Sequence, residues 1–220
     1  MRLLLINPNT SAFVTQRMVQ AARLCLGGAA EVEGVTATQG PAIVADRAGN
    51  AQAAESALEL GLAHAAGAHA LILGISTDAG LDALRRTCSV PVVGMLEAGV
   101  LTAVQRGRRV GLMTLGPQML PLYQERAHDT GLAGHVAAWS APSLPAAYGQ
   151  SPGPEVDDAL SAHAQAWIEA QKLDVLLLCG AVLAGSRPRL APRLSAVVID
   201  ATEAAAWQAL SLAAQARSQV

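Results

Sequence analysis

Val92-Val93-Gly94-Met95-Leu96-Glu97-Ala98 and Val198-Ile199-Asp200-Ala201-Thr202-Glu203-Ala204 decide the fold. In each, a short apolar strand gives way at once to a helix that opens near a glutamate. A second pair, Leu71-Ile72-Leu73-Gly74 and Leu176-Leu177-Leu178-Cys179, repeats the match one strand earlier. The chain therefore reads as two copies of one α/β unit. Outward from these anchors, short apolar runs alternate with longer Ala-rich amphipathic stretches. The pattern predicts strands at 2–6, 31–37, 70–74 and 90–94, then 109–114, 135–140, 174–179 and 196–200. It predicts helices at about 11–25, 51–66, 81–87, from 97, at 119–130, 154–171 and from 203. Thr10 or Ser11 is placed to cap the first helix, and Gly27-Gly28 ends it. Strands alternating with helices of this length imply right-handed βαβ units, mainly parallel sheets and two lobes facing across a cleft.

Composition bounds the function. The 220 residues suit one large domain or two small ones. With 52% hydrophobic and 15% charged residues, the chain has the apolar surface to build a core. Aromatic residues are only 3%, so that core is Ala, Val, Leu and Ile. A net charge of −2 speaks against a nucleic-acid partner. Arg85-Arg86 and Arg106 with Arg108-Arg109 are expected as solvated helix or loop ends. Three cysteines, Cys25, Cys88 and Cys179, suggest reduced thiols. Met1–Ile6 is too short for a signal-peptide core, and Asn7-Pro8-Asn9 interrupts it. No apolar run of about 20 residues is present to span a membrane. A cytoplasmic protein without a membrane partner is the expectation. The five histidines show neither HxxxH nor HExxH spacing and there is no CxxC, so no metal is expected.

Ligands of open α/β sheets sit beyond the carboxyl ends of the strands. The site should therefore collect 7–11, 74–78, 114–117 and 179–181. Cys179 ends the strongest apolar strand, and Gly180 lets the chain turn and leaves room for a ligand. A thiol needs little lowering from about 8.5 to shuttle protons near neutrality. The sulfur is expected to face the cleft with a void beside it; the competing reading is a buried structural cysteine. Cys25 and Cys88 read as packing residues. Asn7-Pro8-Asn9-Thr10-Ser11 offers two amides and two hydroxyls, suited to a carboxylate or a ureide-like ring, or simply to turn and cap chemistry. Ser76 and Thr77 are short donors for a carboxylate or an enolate oxygen. Asp78 is read as the cap of the helix at 81–87. Thr114 is a weaker binding candidate by its strand-end position.

These residues resemble the aspartate/glutamate/hydantoin racemase superfamily, and most of all its hydantoin and allantoin racemase branch. The resemblance rests on Ile6–Ser11, Val35-Thr36-Ala37-Thr38-Gln39-Gly40-Pro41, Asp78-Ala79-Gly80-Leu81, Pro91–Ala98 and Leu178-Cys179-Gly180, in order along nearly the whole chain. It implies two pseudo-twofold-related Rossmann-like lobes, each with a mainly parallel four-stranded sheet. One lobe would comprise 1–103 plus 204–220, the other 104–203, with the active-site cleft between. It also implies no cofactor, a small-molecule substrate, a homo-oligomer, and one cysteine per lobe acting on opposite faces of a carbon. Cys179 matches the second-lobe cysteine. At the first-lobe position stands Ile75, or Gly74 or Ser76 in a shifted register. The arylmalonate decarboxylase branch also has a single, second-lobe cysteine, and its glycine-plus-hydroxyl stretch resembles Leu73-Gly74-Ile75-Ser76. That branch carries a tyrosine after the fifth strand, where Leu115-Gly116 stand here; Tyr123 lies further along.

The shared chemistry is cofactor-free proton transfer at a carbon next to a carbonyl. Cys179 moves the proton, Ser76 is the second catalytic candidate although a far weaker acid and base than a thiol, and what replaces the first-lobe cysteine stays open. Ser76, Thr77 and the amides near Gly180 meet the developing enolate charge. Asn7, Pro8 and Asn9 orient the substrate, with Gly74, Ile75, Thr114 and Leu115 lining it. Three activities remain open: a racemase of hydantoin- or amino-acid-like compounds, an arylmalonate-type decarboxylase, and a non-catalytic ligand-binding relative.

Overall fold

A computed structural model describes residues 1–143 and 154–218. In the first half, β1 (Arg2–Asn7), α1 (Ala12–Leu26), β2 (Glu31–Thr36), α2 (Arg47–His64), β3 (Ala70–Leu73), α3 (Leu81–Thr87), β4 (Val92–Gly94) and α4 (Met95–Val104) alternate as predicted. The second half runs β5 (Val110–Met113), α5 (Leu120–Asp129), β6 (Val136–Ser140), α6 (Pro154–Gln171), β7 (Val175–Leu178), α7 (Arg187–Leu190), β8 (Val197–Asp200) and α8 (Ala201–Arg217). The two sheets have orders β2-β1-β3-β4 and β6-β5-β7-β8, and every pairing is parallel. Equal order in both halves confirms the internal repeat and the α/β two-lobe fold.

Helix starts deviate from expectation where carboxylates do the capping. Asp46 accepts from the Gly49 amide at 2.7 Å and starts α2 at Arg47, four residues early. Asp200 accepts from the Thr202 amide at 2.8 Å and starts α8 at Ala201. The first helix ends as read, on Gly27 in the left-handed conformation. The arginine clusters are exposed at the end of α3 and in the loop after α4, as expected, and two of their arginines are tethered. Arg85 binds the Glu97 carboxylate and the Val92 carbonyl, and Arg109 binds the Gln171 carbonyl.

Strand residues alternate between two apolar layers, as period-two geometry requires. Leu4, Ile6, Leu71 and Leu73 pack against the outer helices α2 and α3, while Leu3, Leu5 and Ile72 face inward. In the other sheet Leu176 and Leu178 face the layer of α6 and α7, whereas Val175, Leu177 and Cys179 face inward. The inward faces of both sheets share one core with α1, α4 and α8. Helices α4 and α8 are exchanged: α4 leaves the first sheet and packs on β7 and β8, and α8 leaves the second and packs on β3 and β4. Gly99 permits the approach, since a Cβ there would lie 2.8 Å from Leu177. Each fully buried leucine in this layer contributes about 2 kcal/mol over an exposed one. On the outside, Arg47–Glu125 and Arg126–Asp82 ion pairs join α2 and α3 to α5.

Candidate active site

A cavity of about 330 Å³ opens where the strand ends of both sheets meet. Asn9, Gly74, Ile75, Ser76, Thr77, Thr114, Leu115 and Gly180 line it, all of them expected from the sequence. Asn7 and Pro8 are buried but do not line the cavity. The Asn7 side chain donates to Asn9 Oδ1 at 2.9 Å, the Ser11 carbonyl at 3.2 Å and Thr15 Oγ1 at 2.9 Å. These bonds fix the loop and leave Asn7 nothing to offer a ligand. Asn9 also accepts from the Ser11 amide at 2.9 Å, so its NH2 is what remains for the cavity. Gly74 is required: a Cβ would sit 2.9 Å from the Ile6 carbonyl oxygen. Ser76 and Thr77 are nearly sealed on the floor. Thr77 donates to Asn50 Oδ1 at 2.5 Å, and Ser76 Oγ lies 3.9 Å from Met95 Sδ.

Cys179 is not at the cleft mouth. It has no exposed surface and stands behind the wall formed by Gly180, Ser76 and Thr114. Its thiol points across the lobe boundary at the Ser76 carbonyl oxygen, 3.7 Å away. The two catalytic candidates from the sequence thus approach each other, but through the main chain of Ser76. Burial first, and then Asp78 and Asp200, push the thiol well above its ordinary value. Gly180 does not turn the chain. It is extended at φ 173°, and a Cβ would meet Leu183 and Thr114 at ordinary contact distances of 3.5 and 3.6 Å. Cys25 and Cys88 pack against the apolar layers, as expected; burial and nearby acids push Cys25 up to about 12.

Asp78 caps a different helix from the one predicted. Its backbone is left-handed, at φ 54°, a conformation that Asp tolerates better than most residues. Its carboxylate accepts from Leu96 N at 3.0 Å and Glu97 N at 2.9 Å, the first turn of α4. Gly94, the residue before α4, has no side chain to cap with, and its missing Cβ makes the space that the carboxylate fills. Helix α3 begins at Gly80 with no side-chain cap. Burial pushes Asp78 and Asp200 up to about 6 each, against the pull of their amide bonds.

Tyr123 is a cavity-lining residue that the sequence reading did not place in the site. It lies on α5, is buried, and reaches back over the end of β5 into the cavity wall. Burial first, and then the Cys179 thiol, push its phenol above the usual tyrosine range, against the pull of Thr114 and Ser76. The signal was weak: Met119, Leu122, Tyr123 and Ala127 form the buried stripe of this turn and helix, and the phenol rides within it. Ile43, Val44 and Ala45, from the loop between β2 and α2, and Pro117, Gln118 and Met119 complete the rim. Among the described residues that line the cavity, none carries a charge. Hydroxyls, two side-chain amides and main-chain groups are set in an apolar frame. Such a wall solvates a neutral polar ring far better than a zwitterion or a dianion, whose desolvation would go uncompensated.

A family model described as Asp/Glu/Hydantoin racemase matches residues 3–209. A hydantoin racemase of Rhizobium meliloti is 30% identical over 146 residues, 66% of this chain and 61% of that protein. The structure of an allantoin racemase from Klebsiella pneumoniae superposes with a TM-score of 0.91 at 25% identity, over 98% of this chain and 89% of that one. An arylmalonate decarboxylase structure shares the fold, with a TM-score of 0.65 at 20% identity over 97% and 92% of the two chains.

Proposed function

The chain belongs to the Asp/Glu/hydantoin racemase family, and from that premise we propose that it is a cofactor-independent racemase of neutral, cyclic, hydantoin-like compounds. The observation that carries this reading is the uncharged cavity beside the thiol. A hydantoin-type ring has N–H donors and carbonyl acceptors that match Asn9, Ser76, Thr114 and Tyr123. Amino-acid-like substrates, equally open from the sequence, would bring two charges into a wall with no partner for either.

Cys179 is the acid/base. Withdrawal of the substrate proton leaves the electron pair on the carbonyl oxygen as an enolate. The hydroxyls of Ser76, Thr114 and Tyr123 donate to that oxygen, and return of a proton to carbon completes the exchange. Each such donor is worth about 3–4 kcal/mol in comparable sites. For the sulfur to reach the carbon, the side chains of Ser76 and Thr114 and the Gly180 main chain at the cavity wall must give way to the entering ring. With Ile75 in the first-lobe position, the opposite face has no thiol; solvent takes the proton from that face while the Cys179 thiol donates on its own, and the thiolate so formed runs the reverse direction.

The lone thiol also favours a second reading, one-face protonation after decarboxylation of an arylmalonate. There the C–C bond breaks, its electron pair forms the enediolate, and Cys179 donates its proton to carbon. In heavy water, a 5-substituted hydantoin should take up deuterium at its ring stereocentre, and Cys179→Ala should abolish the uptake. No uptake at high enzyme, or undiminished uptake in Cys179→Ala, overturns the racemase reading. A single product enantiomer from an arylmalonate, without hydantoin exchange, selects the second.

A further inference from the structure

Asp78 and Asp200 occupy corresponding places around the thiol. Asp200 pairs in the sheet with Leu178, the residue before Cys179. Asp78 lies two residues beyond Ser76, whose carbonyl oxygen faces the sulfur at 3.7 Å. Each is 2% exposed. Each accepts main-chain amides at the start of one exchanged helix: Asp78 from Leu96 and Glu97 of α4, Asp200 from Thr202 of α8. Asp200 also accepts from Gly185 at 2.7 Å. Free amides at a helix N-terminus stabilise a thiolate. Both of these helix starts are instead occupied by buried carboxylates, and both carboxylates act on the thiol.

We propose that Asp78 and Asp200 are a matched pair of positioning residues that screen the sulfur from both helix N-termini and hold Cys179 in its protonated, donor form at rest. The inference rests on the reading of Cys179 as the proton-transfer group. When the thiol gives its proton to an enolate carbon, the S–H bond breaks, the C–H bond forms with the enolate's electron pair, and the sulfur keeps the S–H pair. The resulting thiolate faces two carboxylates and is driven to recover a proton from water or from the next substrate. The other groups around the pair do not cancel this field. Asp78 has Glu97 and Arg126 nearby, Asp200 has Glu203, which is paired with Arg187, and Tyr123 stays neutral. The direction of the Cys179 shift agrees, with both carboxylates among its causes.

The test is a titration of the intact chain carrying Cys25→Ala and Cys88→Ala, so that Cys179 is its sole thiol. Ultraviolet thiolate absorbance is read against pH, with the same protein carrying Cys179→Ala as the blank. The parent midpoint should lie above the ordinary thiol value of about 8.5. Asp78→Asn and Asp200→Asn should each lower it by about one unit, with thermal melts confirming that the variants fold. Unmoved midpoints in folded variants overturn the proposal, as does a parent midpoint at or below the ordinary value. Should an Asn variant fail to fold, Asp→Ser keeps a neutral helix cap and the same criterion applies; the parent titration stands in either case. Hydantoin exchange measured alongside separates the two readings. Lowered midpoints without exchange sink only the racemase, and exchange with unmoved midpoints sinks only the screening pair.

Discussion

Gly94→Ala isolates the contact on which the first half of the site is built. An alanine Cβ would lie 2.5–2.6 Å from the carboxylate carbon and both oxygens of Asp78. The backbone itself accepts alanine, at φ −88° and ψ 151°. Asp78 must therefore move, and it loses its bonds to Leu96 N and Glu97 N. Hydrogen bonds to a charged group are worth about 1.5–3 kcal/mol each, so about 3–6 kcal/mol is at stake. The loss of chain freedom in the unfolded state returns about 0.4–1 kcal/mol. The net expectation is a destabilisation of about 2–5 kcal/mol, read by urea unfolding as a lower midpoint at unchanged slope. Gly180→Ala is the matched control. Its Cβ would meet Leu183 and Thr114 at 3.5 and 3.6 Å, and stability should stay within about 0.5 kcal/mol. If Gly94→Ala were as stable as the parent, the claim that this glycine exists to admit the Asp78 carboxylate would be wrong.

Tyr123→Phe should slow hydantoin exchange by about 10²–10³-fold while costing no more than about 1.5 kcal/mol of stability; an unaltered rate would remove the phenol from the mechanism. Gly74→Ala should destabilise by about 1–3 kcal/mol, because its Cβ meets the fixed Ile6 carbonyl at 2.9 Å. The pH dependence of stability follows from Asp200, which burial raises from 3.8 to about 6. Between those values the folded chain binds the extra proton, so this contribution is full below about pH 4 and is lost as pH rises through 6. About two units correspond to about 3 kcal/mol. The stability of the parent minus that of Asp200→Asn should fall by that order between about pH 4 and 7, and a flat difference would contradict the assignment.

The fold was legible because its signals are local. Apolar runs such as Val175–Leu178 at the strands, together with the repeated strand-to-helix passages, required two parallel units, and both sheets formed with the same strand order. In the structure, Cys179 lies on the side of Val175 and Leu177, as alternation along β7 requires. The site was legible where it uses strand ends and obscure where it uses long-range contacts. Asp78 was assigned to the adjacent helix because capping is usually local, but Gly94 opened a place for it at α4, sixteen residues on. Tyr123 was hidden for a similar reason: nothing in a helical stripe says which member carries its polar end to a cavity. The burial of Cys179 depends on the approach of Ser76 from the other half, and that separation in sequence carries no local mark.

The exchange of α4 and α8 turns the molecule into a clasp rather than a pair of jaws. Swinging the sheets apart would drag each of these helices off strands of the opposite half and wet the apolar layer they share. Traffic to the thiol must therefore be local, through the loop bearing Ile43, Val44 and Ala45 and the turn Pro117–Met119. For the same reason, a polypeptide ending before α8 leaves β3 and β4 uncovered, and neither half is a self-sufficient piece of architecture.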